Sequence, residues 1–238
     1  MSPMFNGHTV ALIIPALDEQ ETIAAVLEAV NTGIVDLRIV ADNGSTDATA
    51  QRARDAGAIV VDEPRRGYGQ ACLSGIARAR REGASLFVFI DGDGSDDPTE
   101  IESLLQHLFD AELEMVIGSR VLGAAEPGAL TPVQRFGNAL TCALVRWFWR
   151  VSYTDLGPFR AIRGAALDRL QMNDRDFGWT IEMQVKAAQR GLRVGELPVS
   201  YRCRRGGQSK VSGTLRGSVM AGQKILGTVF RAKLNEII

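Results

Sequence analysis

The sequence predicts an α/β protein of three layers, α/β/α, in which helices cover both faces of a mostly parallel mixed sheet. Apolar runs typical of buried strands alternate with segments of helical period through the N-terminal part of the chain. This alternation indicates a parallel sheet, because parallel strands are joined by crossover helices. With 238 residues, 45% of them hydrophobic and 23% charged, the chain can form one large well-cored domain or two small ones.

Four strands are predicted in the first part of the chain from their apolar, β-branched composition. They are Val10–Pro15, Leu37–Ala41, Ala58–Val61 and Leu86–Ile90. The segments that follow them have helical periods. Asp18 and Glu21 form a capping-box-like start for the first helix. The other predicted helices run from Thr46 to Gly57, from Gly69 to Glu82 and from Thr99 to Leu108.

The pattern is looser in the second half of the chain. Pro198 makes the last predicted strand an edge strand, because proline cannot donate a ladder hydrogen bond. The predicted elements are a strand Met115–Gly118, a linker or flexible loop Gly123–Pro132, a helix Arg135–Val151, a strand Phe159–Arg163, a helix Trp179–Arg190 and the edge strand Arg193–Tyr201. We expect one domain over residues 1–212 and a C-terminal amphipathic helix over residues 213–238.

Four aspartates within seven positions directly follow the strand that ends at Ile90. Carboxylates this close repel one another unless a positive charge lies among them. Asp91 and Asp93 are therefore candidates to bind Mg²⁺ or Mn²⁺ that bridges a diphosphate. Asp97 is predicted to cap the next helix with Pro98 at its first position, and Asp96 to take part in that helix start.

Two more acidic residues are predicted at the same edge of the sheet. Asp42 ends the second strand, and Glu19 follows the first. Ligands of open α/β sheets bind outside the carboxyl ends of the strands, where a carboxylate can accept hydrogen bonds from a ribose or a base. The alternatives are a turn-forming role for Asp42 before Asn43-Gly44 and a helix first-turn charge for Glu19.

Composition excludes several classes of protein. A formal net charge of -1 argues against a general nucleic-acid binder. Cys72, Cys142 and Cys203 lie far apart and fit neither a disulfide framework nor a zinc site, so we expect a reducing, cytoplasmic environment. The N-terminus has no signal-peptide pattern, and no apolar run reaches membrane-spanning length.

An ordered series of motifs resembles the family 2 inverting glycosyltransferases of the GT-A fold. The likeness within that family is to dolichyl- and polyprenyl-phosphate sugar synthases, such as dolichyl-phosphate mannose synthase, and covers residues 10–212. The motifs are PALDEQETI (15–23), ADNGSTDAT (41–49), RGYGQA (66–71), FIDGDGSDDP (89–98), VIGSR (116–120), DLGPFRA (155–161) and EMQVKAAQRGLRVGELPVSYRCRRGGQSK (182–210).

The resemblance implies roles for individual residues. Asp91, Gly92 and Asp93 correspond to the DxD motif, which holds the metal and the donor diphosphate. The remaining residues implied to bind the nucleotide-sugar are Pro15, Leu17, Glu19, Val40, Asp42, Arg120, Arg202 and Lys210. The residues implied on the acceptor-phosphate side are Arg135, Asn138 and Arg202. The chain departs from the family in having Ser95 at the position of an amide metal ligand and Leu17 at that of an aromatic residue.

The acceptor determines whether the reaction needs a general base. A phosphate is already ionised near neutral pH, whereas a sugar hydroxyl needs a carboxylate within hydrogen-bond reach. Asp155 and Glu182 are the available carboxylates, and with Asp93 they are our candidate catalytic residues. For both, the alternative is that the carboxylate only orients a basic partner.

A lipid acceptor would require contact with a membrane. The segment Arg135–Val151 combines Trp147, Phe148 and Trp149 with arginines, as expected of a helix at a lipid interface. The alternative is an ordinary amphipathic helix packed on the sheet or on a partner chain. We therefore expect a protein at the cytoplasmic face of a membrane, bound peripherally or through a membrane partner subunit. A homodimer is a possible oligomeric state.

The function expected from these observations is metal-dependent transfer of a hexose, with inversion, from a nucleotide-sugar of the GDP-mannose or UDP-glucose type to polyprenyl or dolichyl phosphate. One alternative keeps the donor chemistry but takes a soluble acceptor, such as a sugar, a glycerate or a protein group. Another is a non-catalytic partner subunit that binds a nucleotide-sugar.

Overall fold

The computed structural model describes residues 5–206, 215–234 and 236. In this part of the chain seven strands form one mixed sheet in the order β3-β2-β1-β4-β6-β5-β7. β6 is antiparallel to both of its neighbours, and the other pairs are parallel. The strands are β1 Val10–Ala16, β2 Leu37–Asp42, β3 Ile59–Asp62, β4 Leu86–Phe89, β5 Met115–Ala125, β6 Arg160–Arg163 and β7 Val194–Tyr201.

Helices cover both faces of the sheet. β1 is buried on both sides, with Leu12 and Ile14 in one apolar core and Ile13 in the other. The predicted three-layer α/β/α class is therefore confirmed. The helices are α1 Ile23–Glu28, α2 Thr49–Asp55, α3 Tyr68–Arg81, α4 Ile101–Asp110, α5 Pro132–Trp149, α6 Gly164–Leu170, α7 Trp179–Gln189 and α8 Leu215–Leu234, with a 3₁₀ turn Pro98–Glu100 before α4.

Most of the predicted elements occur within a few residues of their expected bounds. The predicted helix Gly69–Glu82 is α3, and the expected edge strand is β7, which pairs only with β5 in the described sheet. The local apolar periodicity was sufficient to predict these elements, because each helix buries one continuous face and each strand one continuous apolar run.

The capping box expected before the first helix is wrong. α1 is preceded by Thr22, which makes no side-chain capping bond. Asp18 instead adopts a left-handed conformation, with φ of 51°. Its carboxylate accepts a hydrogen bond of 2.8 Å from the backbone N–H of Thr46. A contact between two loops at the carboxyl edge of the sheet thus takes the side chain that would have capped the helix.

The predicted end of the fifth strand and the loop from Gly123 are also wrong in part. β5 continues to Ala125 and pairs with β7 again after a bulge, with Ala124 opposite Ser200. A Cβ at Gly123 would lie 2.0 Å from the carbonyl oxygen of Val199, so only glycine allows this approach. The glycine that indicated a loop is required by the close pairing of two strands.

The C-terminal helix α8 packs against α5 and α7. Phe148 of α5 and Phe230 of α8 meet edge to face, with ring centroids 5.8 Å apart. No helix in the described ranges is long and apolar enough to cross a membrane. The division of the chain at residues 212 and 213 stays a prediction.

Candidate active site

The acidic loop after β4 lies at the carboxyl end of the sheet. Asp91 is held by two neighbours: Tyr68 donates its hydroxyl to Oδ1 at 3.0 Å, and the Asp91 N–H donates to Oδ2 of Asp96 at 3.2 Å. Oδ1 of Asp93 accepts from the N–H of Ser95 at 2.9 Å. The loop therefore has a defined geometry that brings three carboxylates together.

Ionisation of the carboxylates in this loop is unfavourable. Burial, and then the negative charge of Asp93, raise the pKa of Asp91 to about 7. Burial and the charge of Asp91 raise the pKa of Asp96 well above its usual range. Oδ1 of Asp96 is buried without a hydrogen-bond partner. A cation among these oxygens would relieve both the repulsion and the unmet hydrogen-bonding demand.

The expectation that Asp96 belongs to the helix start is wrong. Asp97 alone caps the turn, since its Oδ1 accepts from the N–H of Thr99 at 3.1 Å and Pro98 follows it. The Asp96 side chain points the other way, to the backbone of Asp91, and is 2% exposed. Neighbouring aspartates are equivalent for capping propensity, so the sequence could not show which one turns inward.

The residues expected to hold the nucleoside lie at the same edge. Asp42 ends β2 and is buried, with Oδ2 accepting from the Ser45 N–H at 3.2 Å and Oδ1 without a hydrogen-bond partner. Pro15 and Val40 lie in β1 and β2, which pair in parallel, and Leu17 follows β1. An unpaired buried carboxylate oxygen at a strand end suits a ligand hydroxyl or N–H.

The segment after β7 lies across the acidic loop. The Arg202 N–H donates to the Ser95 carbonyl at 2.8 Å, and the Arg202 side chain pairs with Asp97. Arg204 reaches further. Its guanidinium donates to both carboxylate oxygens of Glu19 at 2.9 and 3.0 Å and lies 3.2 Å from Oδ2 of Asp93. Lys210, predicted to approach the phosphates, lies outside the described residues.

Arg120 and Asp155 form a buried bidentate pair. Nε and Nη2 of Arg120 each donate to one oxygen of Asp155 at 2.7 Å, and the backbone N–H of Arg120 adds a third bond. Burial opposes the charge, but the bonds to Asp155 hold the pKa of Arg120 above its usual range. The guanidinium also lies over the ring of Tyr201, 4.9 Å from its centroid. These contacts are those expected if Asp155 orients a basic partner.

Glu182 is occupied by structural contacts. Its carboxylate accepts from the backbone N–H groups of Asn173 and Asp174 at 2.8 to 3.1 Å, and Lys186 lies 2.7 Å from it. These contacts hold the segment that precedes α7. Catalytic roles for Asp93, Asp155 and Glu182 stay predictions, and the contacts of the last two favour the orienting alternative.

A cavity of about 730 Å³ opens beside Arg120, between the end of β5 and helices α5 and α8. Asn138 lines it and holds its wall, donating to the Thr154 carbonyl and accepting from the Leu156 N–H, both at 2.9 Å. Arg135 also lines it. The larger apolar side chains of its wall are Val121, Leu130, Val133, Phe136, Leu140, Leu156, Ile225 and Leu226.

Sequence reasoning missed three residues of the site. Tyr68 lies within RGYGQA, but nothing in that motif marks its hydroxyl as a partner of Asp91. Asp96 was assigned to the cap. Arg204 lies in the basic motif RCRRGG, where the sequence alone gives no reason to separate it from Arg202 and Arg205.

The mixed seven-stranded sheet, with its acidic loop at the carboxyl end of a central strand, has the GT-A fold. The chain belongs to glycosyl transferase family 2, whose profile matches residues 11–170. A protein of Mycobacterium tuberculosis named as an uncharacterized glycosyltransferase is 41% identical over 217 residues, which is 90% of this chain and 95% of the relative.

A more distant relative belongs with these matches, and a solved structure shares the fold. The polyprenol monophosphomannose synthase of Mycolicibacterium smegmatis is 29% identical over 222 residues, 85% of this chain and 81% of the relative. The structure of glucosyl-3-phosphoglycerate synthase from Mycobacterium tuberculosis in complex with Mn²⁺, uridine diphosphate and phosphoglyceric acid matches with a TM-score of 0.77 and 24% identity, over 96% of this chain and 79% of that chain. That match shows the shared fold.

Proposed function

We propose that this glycosyltransferase transfers a hexose, with inversion, from a nucleotide-sugar to polyprenyl phosphate. The donor diphosphate lies against the acidic loop with a divalent cation, and Glu19 and Asp42 face the nucleoside. The acceptor phosphate lies near Arg120, and its lipid chain occupies the cavity beside it.

The observation that carries the proposal is the chemistry of the 730 Å³ cavity. Its wall is mainly aliphatic and aromatic, and its polar lining residues include Arg120, Arg135, Asn138 and Thr154. An isoprenoid chain gains free energy when apolar surface of this kind replaces water. A small multiply charged acceptor would leave most of the wall unused.

The residues of the acidic loop fit Mg²⁺ or Mn²⁺. Both are hard cations that prefer oxygen ligands, and Asp91 and Asp93 can supply them, with the unpaired Oδ1 of Asp96 in the same loop. No group of three or more His, Cys, Asp or Glu forms a preformed metal cage among the described residues. Diphosphate oxygens would therefore complete the coordination, as is usual for Mg²⁺. When bound, the cation supplies charge stabilisation for the leaving diphosphate.

A phosphate acceptor suits the state of the carboxylates near the cavity. Asp155 forms an ion pair with Arg120. Glu182 accepts hydrogen bonds from two backbone N–H groups and pairs with Lys186. Neither is arranged like a base waiting for a hydroxyl proton. An ionised phosphate needs positive charge and orientation, which Arg120 and Arg135, both at the cavity wall, would provide.

A soluble acceptor is the second candidate, because a neighbour of the same fold is a synthase whose complex holds phosphoglyceric acid. Purified protein should be assayed for nucleotide release and for sugar transfer separately, with UDP-glucose and GDP-mannose, Mn²⁺, and either polyprenyl phosphate or 3-phosphoglycerate. Transfer to polyprenyl phosphate alone supports the proposal. Transfer to 3-phosphoglycerate alone would replace it with the second candidate.

A further inference from the structure

Helix α5 presents an apolar stripe to solvent along its whole length. Residues 133, 136, 140, 143 and 147 are three and four positions apart, so they share one helical face. Phe136 and Trp147 are 70% and 74% exposed, while Val133 and Leu140 are 49% and 37% exposed. The opposite face of the helix buries Thr141, Cys142 and Val145. We call the outward set the α5 stripe; no described residue covers it.

The charged side chains of helices α5 and α8 have one sign. Between Glu126 and Asp155 the chain has no acidic residue, but it has three arginines, at positions 135, 146 and 150. α8, which packs beside α5, likewise contains no acidic residue from Leu215 to Leu234, and it carries four basic ones. Arg146, Arg150 and Arg231 are exposed. Glu236, after the end of α8, pairs with Lys233 and accepts from the indole N–H of Trp149. Large exposed aromatic side chains with several cations beside them match the interfacial zone of an anionic bilayer.

We propose that the α5 stripe binds peripherally to an anionic membrane surface, with Trp147 and Phe136 among the lipid head groups and the arginines facing their phosphates. The biological role of this membrane contact rests on the proposed function. Val133, Phe136 and Leu140 of the α5 stripe also line the cavity, so the mouth of the cavity would face the bilayer. A lipid-linked acceptor could then bring its phosphate to Arg120 without leaving the membrane.

A second copy of this chain fits the α5 stripe less well. A two-fold symmetric contact would place the arginines of one copy against those of the other, because the same surface patch faces itself. Neither helix contains an acidic residue that would offset this repulsion. Anionic lipid head groups supply the missing negative charge.

The test uses the full chain and vesicles that contain no polyprenyl phosphate. Binding to phosphatidylcholine vesicles with and without phosphatidylglycerol is measured by cosedimentation for wild type, Trp147→Ser and Arg146→Glu. Neither substituted residue lines the cavity. Arg81→Glu is the matched charge control, since Arg81 is exposed on α3. Circular dichroism and thermal melting confirm that each variant is folded.

Wild type should bind vesicles with phosphatidylglycerol and not pure phosphatidylcholine. Trp147→Ser should weaken binding about tenfold, because an interfacial tryptophan is lost. Arg146→Glu should weaken it at least fivefold, because each basic residue near an anionic surface contributes about a fivefold gain. Arg81→Glu should bind like wild type.

Three results would overturn the inference: wild type that stays in the supernatant with both vesicles, equal loss for Arg81→Glu and Arg146→Glu, or a dimer in light scattering that Trp147→Ser dissociates. Transfer to a short polyprenyl phosphate in detergent is measured in parallel. Vesicle binding without transfer would refute the proposed function and keep the membrane surface; transfer without vesicle binding would do the reverse.

Discussion

Arg204 lies between two carboxylates of the candidate donor site: its Nη2 is 3.2 Å from Oδ2 of Asp93, and its guanidinium also donates to Glu19. Its side chain is 22% exposed. A fixed cation thus partly neutralises the acidic edge where we place the metal and the nucleotide. Binding of a metal–diphosphate complex at Asp93 would have to displace this contact.

Arg204→Ala should therefore strengthen the binding of Mn²⁺ in the absence of nucleotide. We expect a gain of about threefold to fivefold, since a partly exposed ion pair contributes up to about 1 kcal/mol. Calorimetric titration with Mn²⁺ measures it, and Arg81→Ala, at an exposed position of α3, is the control. Equal or weaker Mn²⁺ binding by Arg204→Ala would show that Arg204 does not compete with the metal.

Asp91→Asn should stabilise the metal-free protein, and more so at high pH. The pKa of Asp91 is raised to about 7 in the fold, from an ordinary value near 3.8. Its ionisation therefore costs stability increasingly as pH rises from about 4 to about 7, and the full cost persists above that. The rise in Tm on substitution should be larger at about pH 8 than at about pH 5, measured by calorimetry in EDTA.

The control for this experiment is Asp97→Asn, for which the change in Tm should have the opposite sign. Burial acts against the charge of Asp97, but hydrogen bonds from Thr99 and the charge of Arg202 lower its pKa below the ordinary value. Its carboxylate therefore contributes stability above about pH 4 that is lost only as pH falls. Asp97→Asn should lower Tm at both pH values. If the Tm of both variants changed in the same direction, this would contradict the raised pKa of Asp91.

Asp93→Ala should remove metal-dependent donor binding while the fold remains intact. The side chain accepts one bond, from the Ser95 N–H, and pairs with Arg204. We expect UDP or GDP affinity in Mn²⁺ to fall by a factor on the order of 100, to the value that wild type shows in EDTA. Unchanged affinity in a calorimetric titration would count against Asp93 as a metal ligand.

Asp155→Asn should destabilise the protein strongly. It leaves the Arg120 guanidinium buried without its counter-charge, which costs about 3 to 5 kcal/mol. The double variant Asp155→Asn with Arg120→Met should lose less than the sum of the two single variants, because the buried charge is removed together with its partner. Urea unfolding measures all three. Strict additivity would mean that the two side chains are not energetically coupled.

The same variant distinguishes the roles considered for Asp155. If the carboxylate orients Arg120, transfer by Asp155→Asn should fall with little change in the shape of the pH profile. If the carboxylate is a general base, the acidic limb of the kcat/KM profile should disappear. Assays at several pH values, below the Tm of the variant, separate the two.

Particular residues show how far sequence reasoning reached in this fold. Asp91 and Asp93 could be placed at the carboxyl end of a buried strand, because the apolar run before them is local and unambiguous. The start of the first helix could not be predicted correctly, because the Asp18 carboxylate accepts a hydrogen bond from Thr46, 28 residues away. Capping preferences describe only neighbouring residues, so a competing partner from another loop is invisible to them.

The sequence by itself determined the alternation of strands and helices and the acidic residues at strand ends, since both follow from short periods and local propensity. Tertiary structure alone decided that Asp96 turns inward, that Asp155 holds Arg120, that Arg204 reaches Glu19 across 185 positions, and that β5, α5 and α8 enclose an apolar cavity. The physical reason is that these contacts join elements far apart in the chain. Their partners are set by the packing of the layers, which no local pattern specifies.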